Sequence, residues 1–193
     1  MLDRLFGEKK KMGYKAVANL IYDEIMSNKD YPEALKKGVK ENLHSDSEEN
    51  IEEIILEQEC FFLWSVLVTY CFQRKFANYG NEKVKLILDE VHNLIDAKLN
   101  TKQTKELSGK YNKYYKAMKD DWESMEKNIG ELLFYSLTFA FVGNLVDREL
   151  SQTEFPRTRI MLGVTIAEIN KALFDIFERM LEQLKDYEVV FKY

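Results

Sequence analysis

The chain has 193 residues, of which 46% are hydrophobic and 32% are charged, so it can form one core under a soluble exterior and does not resemble a disordered or fibrous chain. Only eight glycines and two prolines interrupt it, which argues against the many tight turns of a sandwich or barrel. The net charge of −5 argues against a surface built to bind nucleic acid.

The first half of the chain predicts four helices. Apolar residues at spacings of three and four predict the first helix over residues 11–27, and Pro32 suits the first turn of a short second helix. Ser47 is the predicted N-cap of a long third helix that ends near Phe76. A break at residues 78–81 then precedes the fourth helix.

Three further helices follow in the second half. The fifth begins after residues 100–104, and Gly130 separates it from an apolar sixth helix. An apolar stripe from Leu162 to Tyr187 predicts the seventh. We therefore predict an all-α, single-domain bundle of about six to seven helices over residues 1–193, with helices three and six in the middle. The end of the chain, residues 188–193, can be extended, but one short segment does not form a sheet.

The cysteines and the apolar stretches bear on location. Cys60 and Cys71 fall in one predicted helix about 16 Å apart, too far for a disulfide, and the absence of a disulfide framework favours the cytoplasm. Neither residues 60–72 nor residues 132–142 reach the roughly 20 apolar residues of a membrane span, so we expect no transmembrane segment. The apolar and lysine-rich residues 2–11 allow at most a weak contact with an anionic membrane surface.

Residues 86–94, LILDEVHNL, resemble the Mg²⁺-binding acidic motif of DExH-type helicases. That family pairs the motif with a phosphate-binding loop of the form GxxxxGK[ST], which this sequence lacks. The same nine residues fit an amphipathic helix whose acids face solvent, and we therefore reject the helicase interpretation.

Asp89 and His92 form the candidate metal site. At positions i and i+3 they share one helical face and could hold a divalent metal, as Glu-x-x-His pairs do in carboxylate-bridged di-iron bundles. Only one such pair occurs here, so other ligands would have to come from distant glutamates. The alternative interpretation is a surface pair on the polar side of helix four.

Two charged segments are candidates for binding a partner. Residues 46–59 contain seven acids and no base, which suits the positive end of helix three and could also attract a metal or a basic partner. Helix five carries six lysines on one face, among them Lys105, Lys113 and Lys116, with Glu106 as the only acid up to Lys119. A plain solvated face is the leading interpretation, and the alternatives are contact with an acidic protein surface or, less favoured, with nucleic acid or a membrane.

Helix seven predicts self-association. Phe174 and Phe177 widen its apolar stripe beyond a narrow seam, so a twofold homodimer could cover them. The alternative is that helix three or six of the same chain covers this flank. For function we expect a non-catalytic interaction or adaptor domain. The alternative is a helical-bundle enzyme or binding protein that uses a divalent metal or an apolar ligand held by aromatic side chains. The sequence names no substrate, cofactor or process, and it leaves enzymatic activity undecided.

Overall fold

The computed structural model describes residues 9–46, 51–127 and 134–191. It is 80% helical with two short strands, which confirms the predicted all-α bundle. In chain order the elements are β1 (Lys10–Gly13), α1 (Tyr14–Ile21), α2 (Asp30–Asp46), α3 (Glu53–Lys75), α4 (Asn81–Asp96), α5 (Thr101–Lys127), α6 (Tyr135–Leu145), α7 (Pro156–Leu184) and β2 (Tyr187–Val190). A π-helical turn, Tyr22–Met26, follows α1, and a 3₁₀ turn, Ala77–Tyr79, precedes α4.

The helix α3 forms the centre of the bundle, as predicted. It is buried almost continuously from Glu59 to Phe72, because its apolar side chains leave no polar face over that stretch. The helices α2, α5, α6 and α7 all pack against it, and α2 also runs along α7. Among the described helices, α3 alone is long and apolar enough to cross a membrane, and 72% of its most apolar 18-residue window is buried. Its central position accounts for this apolar composition. Core helices of soluble proteins pass the same test, so this feature is weak evidence for a span.

The two ends of the described chain meet in a small parallel sheet. β1 pairs with β2 in a register that aligns Lys10 with Tyr187 and Gly13 with Val190. Stacking of Tyr14 on Phe191, with ring centroids 6.2 Å apart, continues the contact beyond the strands. Our expectation that the C-terminal segment forms no sheet is therefore wrong. Its partner is β1, and residues 11–13 of that strand were assigned to the first helix.

The helices α6 and α7 take their N-terminal caps from other helices. Each is preceded by a phenylalanine in the left-handed region, Phe134 (φ 55°) or Phe155 (φ 51°), whose side chain cannot cap. Asp121 of α5 instead accepts hydrogen bonds from the backbone amides of residues 136 and 137, at 2.7 and 2.8 Å. Asp46, the last residue of α2, does the same for α7 through Thr158. The first backbone amides of a helix have no acceptor within that helix, so they need one from elsewhere. Asp121 and Asp46 supply it here, and they thereby link α5 to α6 and α2 to α7.

The acidic run at residues 46–59 is used inside the bundle. Asp46 caps α7, and Glu53 and Glu57 form ion pairs with Lys36 of α2 at 3.4 and 3.2 Å. Glu59 is buried and pairs with Lys110 of α5. These four acids thus hold neighbouring helices together. Ser47, Glu48, Glu49 and Gly130 lie outside the described residues.

Candidate functional site

The predicted metal pair is only partly accessible. Asp89 is exposed, whereas His92 is half-buried between Thr69, whose Oγ1 lies 3.4 Å from Nε2, and the edge of the Tyr111 ring. Burial lowers the pKa of His92 below its ordinary value of 6.5, against the opposing effect of Asp89 and Asp96. Among the described residues no group of three or more histidines, cysteines or acids is arranged to hold a metal ion. The described residues therefore supply no third ligand for a metal ion held by Asp89 and His92.

His92 instead borders a cavity of about 380 Å³ between α3, α4 and α5. Apolar walls from Ile95 and Leu107 meet hydroxyl groups from Ser65 and Tyr111. Burial raises the pKa of Tyr111 to about 12, so its hydroxyl stays protonated at neutral pH. The cavity therefore offers hydroxyl groups together with one carboxylate, that of Asp96.

The lysine face of α5 is divided by the structure. Lys105, Lys113 and Lys116 are exposed, and the Lys113 amine donates to Asn144 Oδ1 of α6 at 2.7 Å. Lys110 is different, because its amine turns inward to the buried carboxylate of Glu59. The predicted six-lysine face is therefore interrupted at Lys110, whose side chain is 31% exposed and whose amine pairs with a buried acid.

Glu59 is the centre of a buried polar network. It is 1% exposed and accepts hydrogen bonds from the Lys110 amine and from the Tyr114 hydroxyl, the latter at 2.6 Å. The amide of Asn144 in turn donates to the Tyr114 oxygen at 2.8 Å. Burial and the nearby Glu59 carboxylate raise the pKa of Tyr114 well above its usual value. Each member has a partner, which is what a buried charge requires, and the network joins α3, α5 and α6.

The two phenylalanines predicted to bind a partner lie at different depths. Phe177 is fully buried and packs edge-on against Phe72 and Phe76 of the core. Our assignment of Phe177 to a partner surface is therefore wrong, because the residue faces α3 and no part of it reaches solvent. Phe174 is half-buried between Trp122, at 5.5 Å, and the amine of Lys75, at 5.4 Å.

The exposed apolar surface of α7 lies nearer the start of the helix. Ile160, Met161 and Val164 are 47%, 43% and 43% exposed, on the side of α7 turned away from Leu162 and Ile166 in the core. The sequence pattern drew attention to the buried stripe and did not single out these residues. The sequence feature that could have revealed them is the presence of apolar residues on both faces of the helix over the same two turns.

A second candidate is a pocket of about 550 Å³ beside the middle of α7. Its apolar walls come from Trp122 and Met125 of α5, Phe134 before α6, and Phe174. Arg74, Asn170, Lys171 and Asp175 supply its polar groups. Phe62, Phe134 and Phe141 are all buried, and of these three only Phe134 lines the pocket.

The cysteines agree with expectation. Cys60 and Cys71 are both buried and unpaired, and burial raises the pKa of Cys71 to about 12. Thiols in such surroundings are poor nucleophiles, so neither is a candidate catalytic group.

Comparison with protein-family models, with curated proteins and with solved structures finds no match for this chain.

Proposed function

We propose that this chain is a non-catalytic interaction domain, resident in the cytoplasm, that associates with a second copy of itself through the outward face of α7. The observation that carries this proposal is the exposure of Ile160, Met161 and Val164 next to one another on one helix. Large apolar side chains grouped in this way on a surface are typical of protein–protein contacts.

The residues around this group form a seam with a defined polarity. Arg157, Met161, Val164 and Glu168 follow one another at intervals of four, three and four residues, so they lie in one line along the helix. All four are exposed. The apolar centre of the seam is thus flanked by a base at its N-terminal end and an acid at its C-terminal end.

This polarity favours an antiparallel pair. If the twofold axis passes between Met161 and Val164, Met161 of each copy faces Val164 of the other. Arg157 of each copy then faces Glu168 of the other, so opposite charges meet at both ends of the seam. A parallel pair would instead bring like charges together. Arg157 is also fixed in place, because its Nε donates to Asn42 Oδ1 at 3.2 Å.

The interface is expected to be weak. A standard interface covers about 800 Å² on each partner, and three half-exposed apolar side chains can supply only the middle of such a surface. After the entropic cost of association, we expect a dissociation constant on the order of 10 µM. A domain of this kind would assemble only where its local concentration is high.

Two further observations support a role other than catalysis. The buried acids Glu59 and Asp121 and the half-buried Lys110 are engaged in contacts between helices. The exposed lysines at 105, 113 and 116 place positive charge on α5, where an acidic protein could bind as an additional partner.

Sedimentation velocity across the micromolar range tests the dimer. Glu168→Arg should weaken association by about 1–2 kcal/mol, roughly tenfold, because two opposite-charge contacts become repulsive. The double variant Arg157→Glu/Glu168→Arg should restore it, since attraction returns with the signs exchanged. Glu182→Arg is the matched control, because it makes the same charge change on an exposed residue of α7 beyond the seam.

Two results would overturn the proposal. One is an unaltered chain that stays monomeric at about 200 µM, far above the expected dissociation constant. The other is a double variant that associates no better than Glu168→Arg. Thermal unfolding of each variant in dilute solution shows whether the fold itself has been damaged.

A further inference from the structure

The cavity between α3, α4 and α5 is bordered by a negative charge that the fold does not use. Asp96 lies four residues after His92, so the two side chains are neighbours on one face of α4, and both line the cavity. The Asp96 carboxylate is exposed and forms no ion pair with the described residues. Within the described lining it is the only acid, and there is no lysine or arginine. The nearest lysines in sequence, Lys98 and Lys105, are exposed and do not line the cavity.

His92 adds a second acceptor beside this carboxylate. The Thr69 hydroxyl donates to the Ser65 carbonyl at 2.8 Å, which leaves its oxygen to accept from His92 Nε2, 3.4 Å away. The ring proton is therefore assigned to Nε2, and a neutral histidine in this form carries a lone pair on Nδ1. Burial lowers the pKa of His92 below 6.5, which keeps the ring neutral at pH 7. Nδ1 has no hydrogen-bond partner among the described residues, and it is not one of the buried unpaired atoms, so solvent reaches it.

The remaining walls suit a small organic body. Ile95 and Leu107 are buried apolar side chains on facing helices, and the Tyr111 ring stands edge-on to His92 with the two ring centroids 5.4 Å apart. The cavity volume of about 380 Å³ lies within the usual range for small-molecule sites. Two adjacent acceptors at one side and apolar walls at the other match a molecule with a donating, positively charged end and an apolar end.

We propose that this cavity binds a small organic amine with an aliphatic or aromatic body. Its ammonium group donates hydrogen bonds to the Asp96 carboxylate and to His92 Nδ1, while its body packs between Ile95 and Leu107. Asp96 repels an organic anion, and a metal ion finds no third ligand among the described residues. The site does not depend on the proposed dimer, because its described lining residues belong to α3, α4 and α5 and none belongs to the α7 seam.

Phenethylamine is a suitable probe, since its amine is protonated at neutral pH as a lysine side chain is, and 2-phenylethanol is its neutral counterpart. Isothermal titration calorimetry of the full chain at low ionic strength should show the amine binding about fivefold more tightly than the alcohol, as expected for a partly exposed charge pair. In ¹H–¹⁵N spectra the backbone amides of Ile95 and Leu107 should shift when phenethylamine is added.

Three substitutions locate the amine, and a fourth is the control. Asp96→Asn removes the charge and should weaken phenethylamine binding about fivefold while leaving 2-phenylethanol binding unchanged. Asp89→Asn is the matched control, because it makes the same change on an exposed residue of α4 outside the cavity lining. His92→Leu removes the acceptor nitrogen and should weaken the binding of both compounds, since both can donate to it. Ser108→Trp places a large ring in the cavity from an exposed position and should abolish the binding of both.

The proposal is overturned if phenethylamine does not bind at about 5 mM, or if 2-phenylethanol binds as tightly in the unaltered chain. It is also overturned if Asp96→Asn weakens phenethylamine binding no more than Asp89→Asn does, or if Ser108→Trp leaves binding unchanged. Unchanged binding by His92→Leu would show that Nδ1 is not an acceptor for the ligand. If His92→Leu does not fold, Asp96→Asn and Ser108→Trp decide the question by the same comparisons.

Discussion

Replacing Asp46 with alanine tests whether the cap between α2 and α7 stabilises the bundle. Asp46 is the last residue of α2, where the helix dipole disfavours an acid, so its own helix gains nothing from the charge. The benefit goes to α7. The Asp46 carboxylate accepts from the Thr158 amide at 2.6 Å and hydroxyl at 2.7 Å, and more distantly from the Arg157 amide at 3.4 Å.

The size of the effect follows from these contacts. Loss of a helix cap costs about 1 kcal/mol, and up to about 2 in favourable cases. Thr158 is fully buried, so its hydroxyl loses its acceptor in a place that water does not reach, at a further cost of about 1–3 kcal/mol. We expect Asp46→Ala to lower the free energy of unfolding by about 2–4 kcal/mol in total. Asp46→Asn keeps an acceptor oxygen and should lose about half as much.

Urea unfolding followed by circular dichroism measures these differences. The matched control is Asp96→Ala, because Asp96 is the exposed last residue of α4 and should change stability by less than about 0.5 kcal/mol. A double-mutant cycle with Thr158→Val should yield a coupling of about 1 kcal/mol between the two side chains. If Asp46→Ala costs no more than Asp96→Ala, the carboxylate does not stabilise α7 and the assignment of the cap is wrong.

Two further predictions concern buried charge. Lys110→Met leaves the Glu59 carboxylate with the Tyr114 hydroxyl alone and should cost about 3–5 kcal/mol in urea unfolding, whereas the exposed Lys105→Met should cost less than about 0.5; equal effects would show that the ion pair is dispensable. Because burial lowers the pKa of His92 below its unfolded value of 6.5, the unfolded chain binds more protons, and stability should fall as pH drops through 6.5 towards the lower folded value. His92→Gln should flatten the pH dependence of stability between about pH 5 and 7, and an unchanged slope would show that His92 is not its cause.

Local pattern was enough to predict most of the helical architecture. The spacing of apolar residues in α7 and the continuous apolar run in α3 depend only on neighbours three or four positions apart, and both helices formed close to where they were expected. The same pattern could not place Phe177. A phenylalanine on the flank of a stripe has the same spacing whether α3 or a second chain covers it, and the structure shows that α3 does.

The features that sequence did not reveal all depend on partners far away in the chain. Lys110 has the spacing of a solvated lysine, and only the packing of α5 against α3 brings it to Glu59. Asp121 and Asp46 appear as ordinary acids inside or at the end of a helix, and nothing local shows that they cap another one. The candidate pocket likewise draws its polar groups from α3 and α7 and its aromatic residues from α5, α7 and the residue before α6, so no contiguous motif could predict it.

The pairing of β1 with β2 has a consequence for synthesis on the ribosome. β1 is among the first described residues to emerge, yet its only strand partner within the described chain begins at Tyr187 and is translated after every described helix. During elongation the backbone groups of β1 that later face β2 must be satisfied by water, while the helices between them can already pack. Closure of the ribbon is therefore a late event, and a nascent chain that stalls before residue 187 keeps an unpaired strand edge of the kind that invites contact with other chains.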